Sequence, residues 1–113
     1  MSWQVYRRNP GNPGETTREK QAPPEDDLSE VPLYRVLLHN DPFTRREYVV
    51  VILREIFHKN ARDAQRIMLQ AHLGGQSLVD VLPAEEAALR VARAHQRARQ
   101  DGYPLTFSFE PDV

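Results

Sequence analysis

The chain contains no cysteine, which removes disulfides and thiolate metal ligation from consideration. It has no apolar run long enough to cross a membrane and no secretory leader pattern in its first ten residues, so a cytoplasmic protein without membrane contact is expected. Neither charge sign is in excess: 15 Lys and Arg stand against 16 Asp and Glu. With both signs spread along the chain, there is no basic field to attract a nucleic-acid backbone, and no nucleic-acid partner is expected. Glycine is scarce, at 5 of 113 residues, and forms no phosphate-cradling loop. His39, His58, His72 and His95 do not stand at metal-ligand spacing. Asp41 and His72 offer acid–base chemistry, but no nucleophile accompanies a base at a suggestive spacing. The expectation is a non-enzyme with no metal and no cofactor.

Prolines and polar residues dominate the first third of the chain. Asn9-Pro10-Gly11-Asn12-Pro13-Gly14 and Pro23-Pro24 are turn-forming runs, and the apolar residues around them are few and aperiodic. A segment of this composition buries too little surface to offset its ordering entropy. Residues 1–32 are therefore expected to be a flexible N-terminal extension, mildly acidic at Glu25, Asp26, Asp27 and Glu30. Residues 33–113 form the expected folding unit, roughly eighty residues, a size that folds alone.

Within that unit, the apolar run Leu33–Leu38 reads as a strand, broken by Asn40-Asp41-Pro42. Thr44-Arg45-Arg46-Glu47 has the pattern of a capping box. It opens a helix whose Tyr48, Val49, Ile52, Leu53, Ile56 and Phe57 fall on one stripe. Asn60 is placed to cap a second helix, with Asp63 in its first turn; Ala64, Ile67, Met68 and Ala71 mark its buried face, and Gly74-Gly75 stops it. Ser77–Leu82 reads as a second strand. Pro83 suits the first turn of a third helix, whose Ala87, Ala88, Val91, Ala92 and Ala94 are expected to face inward. Arg90, Arg93, Arg97 and Arg99 are expected mostly in solvent. Asp101-Gly102 ends that helix, and Leu105–Phe109 alternates as a last strand. The order is β-α-α-β-α-β, an α+β fold with a small open three-stranded sheet and three helices on one face.

From Tyr34 to the C-terminus these elements resemble the ClpS family of Clp protease adaptors in order and spacing. The resemblance is carried by Tyr34-Arg35-Val36-Leu37-Leu38-His39-Asn40-Asp41, by Thr44 with Glu47, and by Ala64 through Met68-Leu69 to His72. It continues through Gly75, Val81, Ala84-Glu85 and Val91-Ala92. It implies an adaptor that docks on the N-terminal domain of a ClpA- or ClpC-type unfoldase. Such an adaptor delivers proteins whose first residue is Phe, Tyr, Trp or Leu (N-degrons). It also implies that Asn40 and His72 accept hydrogen bonds from the N-terminal ammonium, that Asp41 and Thr44 line the same edge, and that Leu38, Val49, Met68 and Ala71 form the pocket wall. Glu85 and Arg90 match the positions presented to the unfoldase, and the N-terminal extension matches one thought to engage the unfoldase pore.

Two positions depart from the family pattern. Pro42 stands where a second Asp is usual and offers no acceptor. A lost charged hydrogen bond costs about 1.5–3 kcal/mol, roughly tenfold to a hundredfold in affinity. Arg46 stands where a Met gate is usual; its stem packs over apolar ligands, but it lacks the shape-adapting thioether. Ala71, where Val is common, enlarges the pocket slightly. These departures imply weakened or shifted recognition of N-termini. The alternatives are a divergent relative that docks on the unfoldase without reading N-termini and, further off, the C-terminal domain of the ribosomal stalk protein, which shares the topology but lacks the Asn-Asp and His pairing. A monomer is expected, since neither the final strand nor the polar third helix has a self-complementary face.

Overall fold

The computed structural model describes residues 31–113; the expected extension over 1–32 lies almost wholly outside the described residues. The elements, in order, are β1 (Leu33–His39), α1 (Arg46–Glu55), α2 (Ala61–Gly74), β2 (Gln76–Pro83), α3 (Ala84–Gln100) and β3 (Thr106–Pro111). β1 is the central strand, antiparallel to β2 on one side and β3 on the other. That position explains its nearly continuous apolar sequence. Val36 and Leu38 are fully buried beneath the helices, while Leu37 on the opposite face is half-buried between Leu78 and Ser108.

The core is built from alternate strand residues and helical stripes. Val36 and Leu38 of β1, Val79 of β2 and Phe107 of β3 meet Ile52 and Leu53 of α1, Ala64 and Ile67 of α2, and Ala87, Val91, Ala94 and Ala98 of α3. α3 packs across all three strands, α2 against β2 and β1, and α1 against α2. In β2 the pairing skips a residue, with Val36 opposite Asp80 and Leu37 opposite Leu78. The extra residue, Val79, is the one driven into the core.

The observed boundaries refine the sequence expectations. Asn60 caps α2 as expected, its Oδ1 accepting the amide of Asp63 at 2.8 Å. α2 ends at Gly75, which adopts a φ of +94° that a side chain strongly disfavours. The capping box at Thr44 does not form. Arg45 occupies the N-cap of α1 without a side-chain bond, and Glu47 instead approaches Arg45 at 4.0 Å. Thr44 lies one residue before the N-cap, is buried, and donates its hydroxyl back to the Asp41 carboxylate, which ties it to the turn and not to the first turn of α1. α1 also stops at Glu55, so Phe57 reaches the core from the following turn and meets Phe107 with ring centroids 5.0 Å apart.

On α3 the buried stripe is Ala87, Val91, Ala94 and Ala98, while Ala88 and Ala92 are exposed. Alanine buries so little area that it marks a helix face weakly. Arg90 departs from expectation in the other direction. Its guanidinium turns toward the body of the protein, bonding Glu86 at 2.6 Å and the carbonyl of Ile56 at 2.8 Å. Pro83 sits one residue earlier than expected, at the end of β2 and the N-cap of α3.

Candidate functional site

Three segments converge at the C-terminal end of β1. The strand delivers Leu38 into the core and releases the turn Asn40–Thr44, which leads into α1. On α1, Arg46 and Val49 lie three residues apart and share a face; on α2, Met68, Ala71 and His72 do the same. α2 stops beside the turn, where the amide of Asn40 donates to the carbonyl of Gly75 at 2.9 Å. The left-handed Gly75 thus fixes where the Asn40 turn sits relative to the last turn of α2.

Between these segments lies a cavity of about 350 Å³. It is lined by Leu38, His39, Asn40, Asp41, Pro42, Thr44, Arg46, Val49, Met68, Ala71, His72 and Leu105. Every residue expected from the sequence to contact an N-terminus is in that set. Leu38, Val49, Met68, Ala71 and Leu105 are buried and give an apolar wall. Asn40, Arg46 and His72 are exposed and stand at the open edge. A closed apolar floor with a few polar groups at its rim is the usual make-up of a small-ligand site.

Asp41 is largely committed to its own turn. One carboxylate oxygen accepts the Thr44 hydroxyl and the other accepts the Phe43 amide at 3.3 Å. A carboxylate has further lone pairs, so it keeps acceptor capacity toward the cavity. Among the described residues the side chain of Asn40 makes no bond in this turn, whose contacts run through its backbone and through Asp41. Its amide oxygen is free to accept.

Residues around the site hold its walls in place. Leu105 is positioned by the turn before β3, where Arg99 donates to the carbonyls of Tyr103 and Leu105 at 3.0 and 2.7 Å. His95 of α3 accepts the Phe107 amide at Nε2, 2.9 Å away. Partial burial, and then the nearby Arg99 charge, hold its pKa below the usual 6.5, which favours the neutral ring. Tyr48 of α1 donates to Asp101 at 2.5 Å; burial and that bond push its pKa up to about 12.

Three lining residues were not on the expected list of contacts. His39 ends β1 between Leu38 and Asn40 and borders the cavity by that position in the chain, while its ring bonds Ser108 at 2.6 Å across the sheet. Pro42 lies in the turn itself. Leu105 reaches the wall through tertiary packing, and its only sequence signal is its place in the alternating run of the last strand. The pair Glu85 and Arg90 is not brought together: five residues apart, they are displaced by about 140° around α3. Glu85 is exposed, and Arg90 is held by Glu86 and Ile56. Among the described residues no group of three or more His, Asp or Glu is arranged to hold a metal, and no helix is long and apolar enough to cross a membrane.

With this geometry in hand, the comparisons with known proteins are specific. The family model "ATP-dependent Clp protease adaptor protein ClpS" matches residues 29–108. The ClpS adapter of Myxococcus xanthus is 39% identical over 92 residues, covering 81% of this chain and 86% of the relative. A ClpS adapter of Nitratidesulfovibrio vulgaris is 48% identical over 86 residues, covering 76% and 83%. Among solved structures, Agrobacterium tumefaciens ClpS2 bound to L-phenylalaninamide superposes with a TM-score of 0.71 at 34% identity, over 74% of this chain and 100% of that one. The chain, with its three-stranded sheet, its helical layer and the cavity between them, belongs to the ClpS family of ATP-dependent Clp protease adaptors.

Proposed function

We propose that this adaptor binds proteins through a bulky hydrophobic N-terminal residue and hands them to an ATP-dependent Clp protease, altering what that protease degrades. The observation that carries the reading is the cavity at the end of β1, with its buried apolar wall and exposed polar rim. L-phenylalaninamide, bound by the Agrobacterium relative, combines a free amine with a benzyl side chain. The same two features match this cavity: the side chain fills the wall of Leu38, Val49, Met68, Ala71 and Leu105, and the ammonium meets Asn40, Asp41 and His72. An ammonium has three donors and needs converging acceptors, which these side chains offer. Glu85 and Arg90 on α3 are assigned to docking on the N-terminal domain of a ClpA- or ClpC-type unfoldase, with the adaptor acting as a monomer in the cytoplasm.

The test is degradation of a reporter protein beginning with Phe by the Clp protease. The adaptor is expected to accelerate loss of the Phe reporter and not of one beginning with Ala. Equal rates for both would overturn the reading.

A second reading is favoured by Pro42, which offers no acceptor, and by the engagement of Asp41 with Thr44 and Phe43. In it, the chain docks on the unfoldase without reading N-termini and regulates the protease. Capture by the unfoldase together with unchanged decay of the Phe reporter would select it.

A further inference from the structure

We infer that Arg46 reads the second residue of the bound protein, so that the adaptor favours substrates whose bulky apolar first residue is followed by an acidic one. The inference rests on the N-terminal reading above and names its substrate class more narrowly. Arg46 is the first residue of α1, is exposed, and lines the cavity, which puts its charge at the open edge. A protein whose first side chain is sunk in the apolar wall must leave the cavity through that edge, so its second residue passes the guanidinium.

The charge balance at the edge favours a carboxylate there. Among the described residues Arg46 has no ion-pair partner; the neighbouring Glu47 faces Arg45 instead. Among the described residues the one carboxylate lining the cavity is Asp41, and both of its oxygens already accept bonds from its own turn. Pro42 adds no charge. An incoming ammonium therefore meets a rim with one carboxylate, one guanidinium and the His72 ring, and an acidic second residue would offset that guanidinium. Arginine also presents a planar fork of donors that pairs with a carboxylate through two parallel bonds. A basic second residue meets repulsion at the same place.

The test uses the full-length protein and peptides amidated at the C-terminus, so that the only variable carboxylate is the one intended. Peptides beginning Leu-Glu, Leu-Ala and Leu-Lys are compared by fluorescence anisotropy, with a fourth carrying Glu at the fifth position. For an exposed pair, Leu-Glu is expected to bind about two- to fivefold more tightly than Leu-Ala, with Leu-Lys weakest. The spread is expected to shrink in 1 M salt, where the screening length falls to about 3 Å. Arg46→Gln is expected to collapse the ranking and Arg46→Glu to invert it. Equal binding of the first three peptides would overturn the inference while leaving the N-terminal reading intact. So would a ranking that survives in Arg46→Gln, or an equal gain from Glu at the fifth position. Binding of none of the peptides would overturn the N-terminal reading and this inference together.

Discussion

Asp41 shows how one residue type serves a turn and a binding rim together. Its carboxylate holds Thr44 and Phe43, and the buried Thr44 hydroxyl has no better partner. Asp41→Ala is expected to lower stability by about 1–2 kcal/mol, the cost of leaving a buried hydroxyl and a turn amide without their acceptor. Urea denaturation measures it. His95 carries a different dependence. Its folded pKa lies below 6.5 because partial burial, and then the nearby Arg99 charge, disfavour the charged ring, and its Nε2 accepts the Phe107 amide, a bond only the neutral ring makes. As pH falls through 6.5, the unfolded chain takes up the proton first. The contribution of the neutral ring is thus complete above 6.5 and is lost progressively below it. Thermal melts between pH 7.5 and 5 are expected to show that decline, flattened in His95→Gln.

At the scale of elements, helix ends decide where the rim sits. Gly75 ends α2 at φ +94° and accepts the Asn40 amide, and a side chain added there would meet no atom within 4 Å. Gly75→Ala therefore costs conformational strain alone, about 1–2 kcal/mol, and is expected to weaken peptide binding as the Asn40 turn shifts. Denaturation and anisotropy on the same variant check both effects. That stop was legible in the sequence, as was the Asn60 cap, because both are local: each needs only its own neighbours. The expected Thr44 cap does not form because α1 starts one residue later, at an Arg45 N-cap, and what holds Thr44 in the turn is Asp41, which lies outside the four-residue pattern of a capping box. Ala88 and Ala92 were misassigned because an alanine-rich helix leaves Val91 as nearly its sole strong marker of the buried face.

For the whole molecule, the nine wall and rim positions were legible through the family resemblance, and they do line one cavity. Leu105 was not, since it reaches the wall from the turn before β3, which is fixed by Arg99 and by the return of the chain to β1. The inward turn of Arg90 was also hidden, because its acceptor is the carbonyl of Ile56, 34 residues away. The proposed docking residue Glu85 is exposed on α3 and is absent from the cavity lining. Glu85→Lys is therefore expected to weaken capture by the unfoldase N-terminal domain severalfold while peptide affinity is kept. Pull-down and anisotropy on one preparation separate the two.

The central claim is that the cavity reads a free N-terminus and the side chain beside it. Its most direct test is the anisotropy of a fluorescent peptide beginning with Phe, measured free and N-acetylated. The free peptide is expected to bind and the acetylated one to lose most of its affinity, because acetylation removes the ammonium that Asn40, Asp41 and His72 would hold. Equal binding of the two peptides, or binding of neither, would contradict it.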